Sequence, residues 1–256
     1  MTEAKTAGTA IVVGGGSGVG RATVLALAAR GARVFAVGRD EARLRGVRAA
    51  ATGPGEVVPR ALDATDGAAL DRLIDEADPD VIVVSAGVRA RLALVHEQTW
   101  ETFSAPWNTD VKIAFQVGQT ALRRPLRPGS VVVIVSSGAG LGGSPLSGGY
   151  AGAKRTQMFL AGYLQRSADT AGRALRFVAV VPKQLIAGTE LGHEAADAYA
   201  ALGGMTREKF MERFGVPLTA DGVARAILQV WDGTLAPPLR DAKVLGVTGA
   251  GLEALQ

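Results

Sequence analysis

Residues 136–154 read SSGAGLGGSPLSGGYAGAK, and the way the chain enters this stretch decides the fold. It follows Val131-Val132-Val133-Ile134-Val135, a β-branched run without polar alternation, which reads as a strand buried on both faces. After a glycine-rich turn, a helical pattern starts near Tyr150 and continues through Met158, Phe159 and Leu164. Tyr150 and Lys154 are four residues apart, on one face of that helix. A free phenol titrates near pH ~10 and is a poor acid or base at neutrality. An ammonium beside it favours the phenolate and makes it a usable proton donor and acceptor. Ser137, at the strand's end, offers a hydroxyl to a substrate oxygen held beside the phenol. Alone, a Tyr four before a Lys is more often a surface pair than a catalytic one.

The pattern gains weight from the other end of the chain. Thr9 to Val13 reads as a first strand, followed directly by Gly14-Gly15-Gly16-Ser17-Gly18-Val19-Gly20 and a helix over Arg21 to Arg30 that Gly31 stops. Gly14, Gly18 and Gly20 are spaced G-x-x-x-G-x-G, which allows a tight turn and lets a pyrophosphate approach the N–H groups at a helix start. The same turn without a ligand would be a close strand–helix packing site. Its place after a strand and before a helix favours a dinucleotide, with Gly16, Ser17 and Val19 completing the loop.

Strand and helix alternate from there on. Strands are expected at 34–37, 57–62, 81–84, 131–135, 175–181 and 244–248. Helices are expected at about 40–50, 68–77, 100–122, from 150 onward, and at 219–231, with Asp40 as a cap, Thr219 or Asp221 near the start of the last, and Pro106 breaking or kinking the third of these. Residues 183–216 contain no strand pattern, and residues 1–8 read as a tail. The alternation predicts an α/β fold: a single-domain, doubly wound parallel sheet of Rossmann type over residues 1–256, with helices on both faces.

Composition excludes several classes. With 256 residues, 48 % of them hydrophobic, the chain suffices for one well-buried domain. Twenty-eight basic against 24 acidic residues leave a net charge of +4 without a dense basic run, so no nucleic-acid partner is expected. There is no Cys, and the two His residues, His96 and His193, make no metal spacing. No apolar run spans a bilayer and no leader pattern precedes the first strand, so a cytoplasmic protein without a membrane partner is the expectation.

Together the two motifs resemble the short-chain dehydrogenase/reductase family over nearly the whole chain. VVGGGSGVGRA (residues 12–22) resembles the family's TGxxxGxG turn, with Val13 where Thr is usual. Leu62-Asp63, with Ala64 after it, resembles the acidic position that contacts adenine, and Ser85-Ala86-Gly87 resembles its N-A-G. Ser137 precedes Tyr150 at the family's spacing, and Tyr150-Ala-Gly-Ala-Lys154 is similar to its YxxxK. Thr109-Asp110-Val111-Lys112 stands at the family's V-N-V-K, so Asp110 replaces the Asn of the tetrad; Asn108 is an alternative occupant if the helix is distorted there. Pro182-Lys183 replaces a Pro-Gly beside the nicotinamide, and Thr189 is the candidate Thr that follows it.

The resemblance implies hydride transfer between a nicotinamide cofactor and a small carbonyl or secondary-alcohol substrate. Tyr150 would exchange the proton, Ser137 hold the oxygen, and Lys154 act on Tyr150 and the nicotinamide ribose. Asp110 is expected within one water of Lys154. The second strand ends on Gly38-Arg39 where an NAD-selective site would carry an acid, so NADP(H) is favoured, with NAD(H) as the alternative. Residues 183–216 would form a substrate lid, and a homo-oligomer, tetramer or dimer, is implied. The competing readings are a non-catalytic cofactor-binding sensor or scaffold, and another chemistry such as dehydration or epimerisation on the same scaffold.

Overall fold

The sheet is built from strands whose side chains alternate between two separate cores. In the computed structural model, which describes residues 8–124 and 126–255, the first half of the chain runs β1 (Thr9–Val13), α1 (Gly18–Ala29), β2 (Arg33–Gly38), α2 (Glu41–Ala50), β3 (Glu56–Ala61), α3 (Gly67–Ala77) and β4 (Val81–Val84). Then follow α4 (Trp100–Pro106), α5 (Lys112–Arg123), β5 (Ser130–Val135), α6 (Ala139–Gly142), α7 (Gly148–Thr170) and β6 (Leu175–Pro182). The remainder is β7 (Ile186–Ala187), α8 (Glu190–Leu202), α9 (Arg207–Glu212), β8 (Leu218–Thr219), α10 (Ala220–Asp232), β9 (Val244–Thr248) and β10 (Gly251–Leu255). Of the tail expected over residues 1–8, all but Gly8 lies outside the described residues; the Gly8 carbonyl accepts from the Arg33 N–H at 2.9 Å.

Among the described residues eight strands form the main sheet in the order β10-β9-β6-β5-β4-β1-β2-β3. Val12, Val83, Val133 and Val180 point to one face, against Val24 and Leu27 of α1 and Val223 and Ile227 of α10. Their chain neighbours Ile11, Ile82, Ile134 and Ala179 point to the other, against Leu70 and Ile74 of α3, Ile113 and Val117 of α5, and Met158, Ala161 and Leu164 of α7. Both faces are covered, which is why these strands read as unbroken apolar runs. Chain order reverses between β1 and β4, so the carboxyl ends of these two strands open a crevice, the place where such sheets hold ligands.

Three differences from the sequence reading have physical causes. The sheet is not wholly parallel: β10 pairs antiparallel with β9 through the two-residue connection Gly249-Ala250. Only an antiparallel neighbour can be joined by so short a link. The segment 183–216 does contain a strand, because Ile186–Ala187 pairs in parallel with Leu218–Thr219; a two-residue ladder is too short for any periodic signal. The helix expected over 100–122 is divided. Pro106 has no N–H to return to the preceding turn, and Trp107–Val111 winds as a π-helical turn before α5 begins. Among the described residues no helix is long and apolar enough to cross a membrane.

Candidate active site

The glycine loop lies at the reversal point. Gly14 has φ +89°, and a side chain there would stand 2.5 Å from the Ala86 nitrogen, so the ends of β1 and β4 touch. A side chain at Gly20 would stand 2.0 Å from the Gly14 carbonyl oxygen, which closes the loop against the first turn of α1. Ser17 precedes α1 without a side-chain capping bond, so the helix N-terminus presents open N–H groups. The shape and the free donors fit a pyrophosphate. Gly16 and Gly18 line this cradle, whereas Val19 turns into the core beneath it.

At the far end of the loop, Gly38 closes β2, Arg39 is exposed and Asp40 caps α2 by accepting from the Arg43 N–H at 3.0 Å. Asp63 accepts from the N–H and the hydroxyl of Thr65. The Thr65 backbone bond, then its hydroxyl, hold the Asp63 carboxyl below the usual range, with Arg39 and Lys112 assisting. Arg39 and Asp63 therefore share one rim of the crevice, while Ala64 turns into the core.

The second group of residues converges on α7. Ser136 donates its hydroxyl to the Lys154 carbonyl at 2.7 Å, which fixes the end of β5 against α7. Ser137 follows it; its Oγ accepts from the Ala139 N–H at 3.2 Å, and the next residue, Gly138, donates to the Pro182 carbonyl at 2.7 Å. Tyr150 is half-buried, with the Lys154 ammonium 5.3 Å from its ring centre.

Asp110 is fully buried on the π turn, with Oδ2 3.0 Å from Lys154 Nζ and Oδ1 accepting from the Val88 N–H at 2.8 Å. The ammonium contact lies off the hydrogen-bond direction, so its pull is mainly Coulombic. The pairing is direct, inside the one-water reach expected from the sequence. Asn108 is exposed, so the distorted turn delivers Asp110 and not Asn108 to Lys154. A side chain at Gly87 would stand 2.6 Å from Asp110 Oδ2, so the loop after β4 passes directly over this carboxylate, with Ser85 and Ala86 at its start. Burial works against the charge on Lys154, but Asp110, then Tyr150, outweigh it and hold the ammonium above the ordinary lysine range.

Two candidates sit differently from the expectation. Lys183 lies with its backbone beside Gly138, but its side chain turns away to pair with Glu253 of β10. Thr189 caps α8, accepting from the Gly192 N–H at 3.0 Å and donating to the Ile186 carbonyl at 2.8 Å, so its hydroxyl is engaged within its own segment. Its methyl group stands 3.9 Å from the side-chain position of Gly18.

Other residues escaped the sequence reading. Gln157, buried on α7, accepts from Lys154 Nζ at 3.1 Å and donates to the Asp110 carbonyl at 3.1 Å. Its signal was a polar residue three positions after Lys154 within an apolar stripe. α8 is tied to helix α2 and to two loops around the crevice: Glu190 to Arg43 of α2 at 3.5 Å, Glu194 to Arg89, and the Tyr199 hydroxyl to Ser144. Single charged pairs across such distances in sequence leave no pattern to read.

Comparisons with known proteins bear on the family and the fold. A family profile for short chain dehydrogenase matches residues 8–200. L-xylulose reductase of Mesocricetus auratus is 34 % identical over 127 residues, 50 % of this chain and 51 % of the relative. Carbonyl reductase [NADPH] 2 of Sus scrofa is 34 % identical over 130 residues, 50 % of this chain and 52 % of the relative. The chain thus spans about half the length of these curated relatives. The crystal structure of levodione reductase superposes with a TM-score of 0.79 at 22 % identity, covering 94 % of this chain and 96 % of that one, which speaks for the fold alone. With its family profile, its glycine cradle and its mostly parallel sheet in agreement, the chain belongs to the short-chain dehydrogenase/reductase family.

Proposed function

We propose that the protein is an NADP(H)-dependent oxidoreductase of a small carbonyl or secondary-alcohol substrate. The observation that carries this reading is the Tyr150–Lys154 pair, held by Asp110 and standing on the helix that Ser136 fastens to β5. The bound nicotinamide would supply or accept the hydride. Tyr150 delivers the proton to the substrate oxygen in reduction and removes it in oxidation. Ser137 holds that oxygen, and Lys154 keeps a fixed positive charge beside the phenol. Gly14, Gly16, Gly18 and Gly20 hold the pyrophosphate, and the loop after β4 with Pro182 borders the ring. Exposed Arg39 beside Asp63, with no acid at Gly38, favours the 2′-phosphate, as does the name of the NADPH-linked relative.

Residues 183–216 act as the substrate lid in this reading, supported by the three ties that α8 makes to α2 and to two loops at the crevice. A homo-oligomer is supported by Phe115 of α5 with the stacked, exposed Phe159 and Tyr163 of α7, an apolar surface suited to a second copy. Sedimentation analysis tests that part; a monomer at assay concentration sinks it.

A second reading, a cofactor-binding sensor without turnover, draws on the direct Asp110–Lys154 contact, which spends part of the ammonium's field on a carboxylate. Loss of NADPH absorbance with a panel of ketones and aldehydes, beside titrated NADPH binding, separates the two. Turnover of any member supports the enzyme; tight binding without turnover across the panel supports the sensor.

A further inference from the structure

α7 buries two amides, Gln157 and Gln165, and the first is wholly enclosed beside the Lys154 ammonium. Gln157 is 0 % exposed, next to Met158 and one turn from Leu160 and Ala161. Its two ends are both used: Nε2 donates to the Asp110 carbonyl and Oε1 accepts from Lys154 Nζ, each at 3.1 Å. Asp110 Oδ2 stands 3.0 Å from the same Nζ. The three residues therefore form a closed ring between the π turn and α7, and Asp110 Oδ1 extends it to the loop after β4 through Val88.

An ammonium has three N–H donors. The Gln157 oxygen takes one; Asp110 Oδ2, 3.0 Å away but off the hydrogen-bond direction, holds the charge without taking a second, so two remain on the side of the cleft where Tyr150 stands. The charged and titratable groups acting on this ammonium are Asp110, from the π turn, and Tyr150, from α7 itself. From β5 the contact is neutral, Ser136 Oγ to the Lys154 carbonyl. A carboxamide does not titrate, so its donor end stays on the carbonyl and its acceptor end on the ammonium at every working pH.

We propose that Gln157 is a positioning residue of the reaction, clamping the Lys154 ammonium beside Asp110 so that its remaining N–H groups are held toward the groups in the cleft. The inference rests on the functional reading above. It makes Gln157, rather than solvent, the partner that holds Lys154 to the π turn.

Two variants and one spectrum test it. Gln157→Met keeps the length and removes both hydrogen bonds; kcat with a carbonyl substrate should fall about tenfold or more while its KM stays within about threefold. Gln157→Glu offers the same donor and acceptor only while its carboxyl is protonated, and when ionised it faces Asp110 without a donor. Its kcat relative to wild type should rise toward unity at about pH 4, where an ordinary glutamate carboxyl is largely protonated, and be about tenfold lower at about pH 8. In the cofactor-free protein, the nitrogen-15 signal of the Lys154 ammonium should exchange its protons slowly in wild type and much faster in Gln157→Met. Wild-type kcat in Gln157→Met, a Gln157→Glu ratio that is the same at both pH values, or an ammonium signal unchanged by Gln157→Met overturns the proposal. If Gln157→Met does not fold, Gln157→Glu at the two pH values decides. A wild type that turns over nothing sinks the functional reading itself, an outcome distinct from an active wild type with indifferent variants.

Discussion

Lys154 Nζ stands 3.0 Å from Asp110 Oδ2 where 8 % and 1 % of the two side chains reach solvent. Taking either charge out of water costs several kcal/mol, and the pair survives because each offsets the other's lost hydration. Removing one partner leaves the other stranded. Asp110→Ala should therefore lower unfolding stability by about 3–5 kcal/mol, measured by urea unfolding at neutral pH. A loss below about 1 kcal/mol would mean that the ammonium finds water or another acceptor instead.

The same pair predicts a pH signature. Asp110 holds the folded-state Lys154 above the ordinary range, so this group's contribution to stability is complete below the unfolded value near pH ~10.4 and is lost as pH rises through the folded value. In Asp110→Asn burial acts without the carboxylate and pushes Lys154 the other way, so the group opposes folding at neutral pH and the opposition fades as pH rises. The stability gap between wild type and Asp110→Asn should be widest near neutrality and shrink above about pH 10. A gap that stays constant to the alkaline limit of folding would refute the charge argument.

Tyr150→Phe removes a hydroxyl and little else from a half-buried position. Turnover should fall about 100-fold to 10,000-fold, the usual worth of a positioned acid–base group, while NADPH affinity by fluorescence titration changes little. Turnover near the wild-type rate would take Tyr150 out of the mechanism.

Arg39→Ala tests the cofactor assignment. A charge-assisted hydrogen bond contributes about 1.5–3 kcal/mol, so NADPH should bind about tenfold to a hundredfold more weakly and NADH almost unchanged. Equal losses for both would assign Arg39 to adenine stacking or to Asp63, whose carboxyl it assists.

The unbroken apolar run Val131–Val135 announces a strand covered on both faces, and the structure divides its side chains between two cores. The glycine spacing from Gly14 to Gly20 was equally plain, because contacts of 2.0–2.5 Å to backbone exclude any side chain at two of its positions. Asp110 was harder. Its direct approach to Lys154 depends on the π turn, and one inserted residue rotates every later side chain in a way that helical counting from Trp100 does not foresee. Gln157 and the short ladder β7–β8 carry no periodicity, since a lone amide and two-residue strands are set by what packs against them.

α8 is fastened to its surroundings at Glu190, Glu194 and Tyr199, and the first two fastenings are ion pairs open to water. Exposed pairs of this kind contribute about 0.2–1 kcal/mol each. Their fields die away over about 8–10 Å at ordinary salt. The energy that keeps the helix seated is thus set partly by the surrounding electrolyte, whereas the sheet beneath it rests on burial that salt barely touches. Ionic strength becomes a dial on one segment of the molecule: amide exchange along α8 should quicken as salt is added, while β5 and β6 keep their pace.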